Sequence, residues 1–418
     1  MFQAPRGTND ILPEEQPYWR YVERVAAAVA GLYGYERIDS PVFEDTGLFT
    51  RSVGAGTDIV EKEMYTFEDK GGNSVTLRPE GTAPVCRAYL EHGLFNRPQP
   101  VKLCYFAAIF RYERPQAGRL REHHQFGCEA IGEADPALDA EVIDTAWRFF
   151  RTLGLRKLSL QLNSIGDRHC RPAYIELLKH YYAARAGELC PDCTARVERN
   201  PLRLLDCKNP RCQAIAAEAP KSVEHLCPDC AAHFARLTAC LGLLNIPYNI
   251  NHRLVRGLDY YTRTVFEVQP EAEGGQSTLG GGGRYDDLIA ELGGKPTPAI
   301  GFGAGIERII ANLKREGVAV PPAPAPRVYI AALGDDAARE SVRLAARLRE
   351  DGFYTLTAFG GRSLKAQLRA ANNFSARFTL ILGDEEVRTG RLTVRDMSGG
   401  GQFTLDAAGL AGWLRARE

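Results

Sequence analysis

Between Val320 and Pro326 the chain reads VPPAPAP. Proline has no N–H to give to a helix or sheet, and consecutive prolines hold the backbone extended. No packed element crosses such a stretch, so the 418 residues are divided into parts with separate cores. Beyond it, RVYIAAL, a helical pattern over 336–351, YTLTAF, a helical pattern over 363–372, FTLIL and RLTVRD succeed one another. That succession predicts a small α/β domain over 327–418. Before it, a helical stripe from Glu14 to about Tyr33 leads into strand signals at EMYTFED, SVTLRP, QPVKLCYFAAIFRYE, HHQFGCEAIG and KLSLQLNS. They predict an α+β domain over 1–325 built on an antiparallel sheet. From 166 to 245 the strand signals thin out and cysteines gather among helical patterns. This stretch is expected to be an inserted module.

Composition excludes several kinds of partner. Lys+Arg and Asp+Glu each total 52, so a polyanion must be held by local basic patches and not by overall charge. The start, MFQAPRGTNDILPEE, lacks the apolar core of a signal peptide, and no apolar run approaches the ~18–20 residues of a membrane helix. An odd count of eleven cysteines fits a reducing compartment better than a disulfide framework. A cytoplasmic protein is expected.

Four segments carry chemistry. In FRYERPQAGRLREHHQFGCEAIG, side chains repeat every two residues along a strand, so Arg111 and Glu113 share a face. A planar guanidinium suits a phosphate, and a carboxylate accepts from an exocyclic amine. A cross-strand ion pair is the plainer reading. The segment AIGFGAGIERI places Arg308 three residues after glycines that permit close approach of a ligand or strand. Its glycine spacing, and the absence of a surrounding parallel βαβ unit, rule out a dinucleotide fingerprint. The segment TLRPEGTAPVCRAY sets Arg78 and Glu80 before a turn and a helix, so Glu80 is either a helix-dipole partner or a holder of an ammonium. Finally, LVRGLDYYTRTVFEV alternates like a strand in its second half but opens with Arg256, Asp259, Tyr260 and Tyr261.

The cysteines form CPDC at 190–193, CKNPRC at 207–212 and CPDC at 227–230. Two Cys-x-x-Cys pairs fit a tetrahedral structural Zn²⁺ site. Spacing favours Cys190, Cys193, Cys227 and Cys230, with Cys207 and Cys212 as competitors; buried free thiols are the plainer reading.

In this order, these segments resemble the class II aminoacyl-tRNA synthetases, and RGTNDILP, TLRPEGTA and RGLDYYTRTVFE resemble the histidine-specific family among them. The resemblance spans essentially the whole chain. It implies a six-stranded antiparallel catalytic sheet flanked by helices, an insertion, an anticodon-binding α/β domain and a homodimer with the helix and strand that end at Pro41 at its interface. The implied chemistry is L-histidine plus ATP giving histidyl-adenylate, then transfer to tRNA, with Mg²⁺ on the phosphates. Arg111 would hold the α-phosphate, Glu113 the adenine amine, and Arg308 the adenine and γ-phosphate. Histidine would be held by Glu80, Gly81, Thr82, Arg111, Gln125, Glu129, Arg256, Tyr260 and Tyr261. In that pocket Glu129 takes an imidazole N–H, Tyr261 serves the other nitrogen, glycines 280 to 283 floor the cavity, and Arg256 faces the charge that builds during reaction. Arg114, Arg119 and Arg121 would meet the acceptor end of tRNA. Asp259 reads as a structural partner near Arg256. The family's pattern does not require the cysteines.

Two other readings compete. A non-catalytic regulatory paralogue in the ATP phosphoribosyltransferase complex lacks the last domain and drifts at the catalytic arginines, whereas Arg111, Arg256 and Arg308 are all present here. A sister synthetase for proline, threonine or glycine has no need of an imidazole pocket.

Overall fold

The computed structural model describes residues 2–54, 57, 59–115, 118–271 and 278–417. It divides into two compact units that meet between Pro321 and Pro322, inside the proline-rich stretch.

The first unit is organised by an eight-stranded sheet. Across the sheet the strands run Glu36–Arg37, Val101–Phe110, Glu122–Ile131, Ala299–Gly305, Gly280–Arg284, Thr262–Pro270, Leu158–Ser164 and Tyr248–Ile250. The inner six are antiparallel, as expected. The two edges add short strands paired in parallel, which the expected six-stranded sheet omitted. Two or three residues are too few for an alternating pattern to announce a strand.

Helices cover one face. In Gln16–Leu32 the buried positions Val22, Val25, Ala26, Val29 and Ala30 form one stripe at three- and four-residue spacing. Gly34 ends that helix with φ +77°, a conformation other residues adopt only under strain. Helix Pro136–Thr152 starts where the Asp135 carboxylate accepts the Ala137 N–H at 2.8 Å. It lays Phe149 against Phe126 of the sheet, with ring centroids 4.9 Å apart. Truncating such a buried ring to alanine costs roughly 3–5 kcal/mol.

The inserted stretch is helical: Arg171–Ala183, Pro191–Arg196, Pro210–Ala217 and Pro228–Leu243. Each has a proline in its first turn, where a missing N–H costs nothing. The stretch does not have a core of its own. Leu237 and Leu241 pack into the cluster beneath the sheet with Leu160, and Tyr174, Leu178 and Tyr182 belong to a second cluster with Tyr89 and Tyr105.

A small sheet of Phe43–Asp45, Ser74–Leu77 and Tyr65–Glu68 leaves Phe43 and Phe67 about half exposed (55% and 48%).

The second unit has five strands in the order Thr355–Thr357, Val328–Ala332, Phe378–Leu382, Arg391–Asp396 and Gln402–Asp406. The first three are parallel and the last two antiparallel. Strand Gln402–Asp406 and helices Asp384–Thr389 and Leu410–Arg415 add to the expected elements. Among the described residues no helix is long and apolar enough to cross a membrane.

Candidate active site

The open ends of the central strands deliver four arginines to one cavity of about 280 Å³. Arg111 lies just past Val101–Phe110 and anchors its Nε on the Pro79 carbonyl at 2.7 Å. Arg308, in the first turn of helix Ile306–Arg315, donates to the carbonyls of Gly118 (2.9 Å) and Thr278 (3.1 Å). Arg119 pairs with Glu113 at 3.4 Å, and Arg111 stands 3.9 Å from the same carboxylate. Arg256 pairs through Nη1 with Glu267, which also accepts from Gln269 and Thr278 at 2.8 Å. The Nε of Arg256 is buried with no hydrogen-bond partner among the described residues. Gln125, Gly280 and Gly281 complete this part of the wall.

Burial, then the nearby Arg119, pushes the Arg308 guanidinium below its ordinary value. An anion in the cavity would relieve that crowding of cations. His123 lies in the same wall, its imidazole pushed down to about 3 by burial and then by Arg111 and Arg308. It is therefore neutral at any working pH and offers one donor and one acceptor. His123, Glu267, and Asp206 and Lys208 from the inserted stretch are wall residues that the sequence reading missed. Glu267 lies on the strand that TRTVFEV announces, but nothing in its spacing points to Arg256. The other three carried no motif.

Behind the cavity lies a buried polar cluster made of the expected histidine-pocket residues. Glu129 is 1% exposed, on strand Glu122–Ile131. Its Oε1 accepts from Thr82 Oγ1 (2.8 Å) and Tyr105 Oη (3.2 Å), and its Oε2 from Tyr285 Oη (2.5 Å). Oε1 has two partners and Oε2 one, so Oε2 has room for a further partner among the described residues. Burial without a paired cation holds its carboxyl up at about 8. Strand register sets Gly301 opposite Glu129, and a Cβ there would lie 1.7 Å from Oε2. Only glycine lets this carboxylate lie across the neighbouring strand.

Glu80 accepts the N–H groups of Thr82 and Ala83, both at 2.7 Å, at the start of helix Thr82–Glu91, with Gly81 at its N-cap. The Tyr260 hydroxyl reaches Glu80 at 3.4 Å. Tyr260 packs against Tyr261 with ring centroids 4.8 Å apart and the rings tilted by 44°, and Arg256 stands 5.8 Å over the Tyr261 ring. Arg256 thus joins the buried cluster to the open cavity.

Several expectations need correction. Only Gly280 and Gly281 line the cavity; a Cβ at Gly282 would meet the Gly301 carbonyl at 1.9 Å, and one at Gly283 the Thr264 carbonyl at 2.2 Å. Gly282 serves strand packing, while a Cβ at Gly283 would also meet the Tyr261 ring of the expected histidine pocket at 3.0 Å. Asp259 does not partner Arg256. It accepts from Asn200 of the inserted stretch at 3.4 Å, and Glu267 takes the arginine. Arg78 is buried on the carbonyls of Ala108 and Ser40 and is a structural clamp. Of the three loop arginines, Arg114 is exposed and Arg119 lies at the cavity. Arg121 lies over the Tyr112 ring at 3.8 Å. Gln116 and Ala117 of that loop lie outside the described residues.

The favoured set of cysteines also fails. Cys190 and Cys193 cluster with Cys207 and Cys212, while Cys227 and Cys230 cluster with Cys170 and Asp167. The two CPDC doublets cap different helices, Pro191–Arg196 and Pro228–Leu243; the first finds partners nearby in the chain and the second finds them at the start of the insertion. In the first cluster the Cys190 N–H reaches Cys212 Sγ at 3.3 Å and the Asn209 N–H reaches Cys207 Sγ at 3.4 Å.

An antiparallel sheet flanked by helices, with phosphate-suited arginines at its open strand ends and a buried polar pocket behind them, defines a class II aminoacyl-tRNA synthetase core. Comparison with known proteins agrees. The family model described as histidyl-tRNA synthetase matches residues 7–170 and 174–309, and an anticodon binding domain model matches 327–417. A histidine–tRNA ligase of Dehalococcoides mccartyi is 61% identical over 97% of both chains, and one of Moorella thermoacetica 52% identical over 98% of this chain and 97% of its own. The crystal structure of an apo histidyl-tRNA synthetase from S. aureus superposes with a TM-score of 0.83 at 37% identity, covering 99% of this chain and all of that one. The chain belongs to the histidyl-tRNA synthetase family.

Proposed function

We propose that the chain activates L-histidine with ATP and transfers it to tRNA, with the cavity holding ATP and the buried cluster holding the amino acid. The observation that carries this reading is the buried Nε of Arg256, which has no hydrogen-bond partner among the described residues and is set between the two. In the first step a histidine carboxylate oxygen forms a bond to the α-phosphorus as the bond to the β-phosphate oxygen breaks, and pyrophosphate leaves. Arg111 and Arg256 neutralise the charge that develops there, Arg308 holds the distal phosphates, and Glu113 takes the adenine amine. In the second step a terminal ribose hydroxyl of tRNA attacks the activated carbonyl and AMP leaves.

Glu129 and the Tyr261 hydroxyl serve the imidazole, while Glu80 and Gln125, with Thr82 beside them, take the α-ammonium. An apolar isostere would leave these buried groups unpaired, which is what makes such a pocket selective. Mg²⁺ neutralises phosphate charge when bound. Among the described residues no three carboxylates in the cavity come together as a cage, which suits a cation held mainly by the nucleotide. Arg114, Arg119 and Arg121 face the acceptor end and residues 327–417 the anticodon. Two copies pair through the helix and strand that end at Pro41, and the working compartment is the cytoplasm. The Cys190, Cys193, Cys207 and Cys212 cluster holds a structural Zn²⁺.

ATP–pyrophosphate exchange with each amino acid in turn tests the reading. Histidine alone should stimulate it. Stimulation by proline, threonine or glycine, or by nothing, overturns it, the last being the behaviour of the regulatory paralogue.

A further inference from the structure

The inserted stretch leaves the catalytic sheet at Ile165 and returns to it along helix Pro228–Leu243, and both ends meet at one cluster. Asp167, Cys170, Cys227 and Cys230 bring one oxygen and three sulfurs within 4.8 Å of one another. We propose that this cluster is a second, separate Zn²⁺ site that fastens the two ends of the insertion to the catalytic strand.

The donor set suits the ion. A tetrahedron with metal–sulfur bonds of about 2.3 Å has edges of roughly 3.8 Å, so these atoms need only small movements to close around a metal. Cys170 Sγ already stands 3.8 Å from Asp167 Oδ1. Asp167, Cys170 and Cys230 are buried and Cys227 half-buried, so the site is closed, as in structural zinc centres. Both pairs are spaced three residues apart at a helix entry: Asp167 and Cys170 lead into Arg171–Ala183, and Cys227 and Cys230 open Pro228–Leu243. The backbone is shaped for the sulfur, because Gly166 has φ +66° and a Cβ there would lie 2.6 Å from Cys170 Sγ.

The carboxylate has an outer partner. Its Oδ1 faces the thiols while Oδ2 pairs with Arg263 Nη2 at 3.2 Å, the arrangement that orients a ligating carboxylate and offsets the charge of three thiolates. Arg263 immediately follows Thr262 on the strand that carries Tyr260 and Tyr261 into the pocket. It exchanges backbone hydrogen bonds with the same loop: Ile165 N–H to Arg263 O at 2.8 Å, and Arg263 N–H to Gly166 O at 2.7 Å. Arg171 Nη2 donates to Tyr261 O at 2.6 Å. A metal here closes the long loop of residues 171–226 at its base and fixes the backbone on which the two tyrosines stand.

Metal analysis of the full chain, purified without added zinc, tests this. Wild type should carry two equivalents; none, or a single equivalent that Cys207→Ser loses, overturns the second site. Cys227→Ser should carry one, and an unchanged content overturns the assignment. Cys207→Ser reads the other cluster independently, so failure of one site does not pass for failure of the other. If Cys227→Ser does not fold, metal-stripped Cys207→Ser titrated with Co²⁺ replaces it. One equivalent with sulfur-to-cobalt absorption supports the site, and no such absorption overturns it.

Discussion

Two arginines near the ends of adjacent strands are finished in opposite ways. Arg284 is wholly buried, and its donors are used up: Nε and Nη2 on Asp139 at 2.7 Å, Nη1 on Glu133 O (3.0 Å) and Asp286 (3.1 Å), and Nη2 also on Asp135 O (3.3 Å). Asp139 is completed in turn by His233 Nε2 at 2.8 Å and Thr264 Oγ1 at 2.6 Å. Arg256 has one carboxylate partner and a buried Nε without any among the described residues. The first network is closed by the chain and ties the returning helix to the sheet. The second is left open where a charged substrate is expected. A buried polar group without a partner costs free energy, so it persists only where something else repays that cost.

The largest test of this contrast is Arg284→Ala. It strands Asp139 in the core, and removing one member of a buried ion pair costs roughly 3–5 kcal/mol. Urea unfolding should show the midpoint fall steeply, with the surviving folded fraction still activating histidine. A normal midpoint with lost activity would show that Arg284 is not the structural member of the pair.

Arg256→Ala is the mirror experiment. Glu267 keeps Gln269 and Thr278 as donors, so stability should barely move. Adenylate formation should fall at least hundredfold, since loss of one group facing developing charge costs ~10²–10³ in rate, or about 2.7–4 kcal/mol. Pyrophosphate exchange and thermal melting on the same preparation read both halves. Near-normal exchange removes Arg256 from the chemistry.

The contrast also explains what the sequence disclosed. Segments whose function constrains many neighbours at once, such as RGLDYYTRTVFE, were legible because an arginine, a glycine and two tyrosines at a strand entry suit few other purposes. Four of the six inner strands carried strand signals, in QPVKLCYFAAIFRYE, HHQFGCEAIG, KLSLQLNS and TRTVFEV, whereas the glycines of Gly280–Arg284 have no alternation to read. The Arg284–Asp139 pair was not, because an arginine ending a glycine strand and an aspartate in a helix look ordinary until the fold brings them together. The cysteine sets were misread because two identical doublets invite pairing with each other. Spacing along the chain cannot tell which helix starts are neighbours, and a count of cysteines overlooks Asp167 as a donor. Glu267 shows the same limit: it lies on the strand that was read, yet its bond to Arg256 depends on how the preceding loop folds back.

The smallest effect belongs to Glu129, the open network's carboxylate. Its carboxyl is held at about 8, above the 4.5 of a free side chain, chiefly by burial. A group whose folded-state value is raised keeps its proton in the fold, so the unfolded chain gains as pH climbs. Stability therefore falls from about pH 4.5 to about pH 8 and levels off above that. Between pH 7 and pH 9 this one group accounts for a loss of about 1.4 kcal/mol. Glu129→Gln abolishes that contribution while keeping the shape, so its urea midpoint should fall less than that of wild type across the same interval. Identical pH dependence in the two proteins would mean that Glu129 is already ionised at neutral pH, and that the pocket supplies a positive partner to it before histidine arrives.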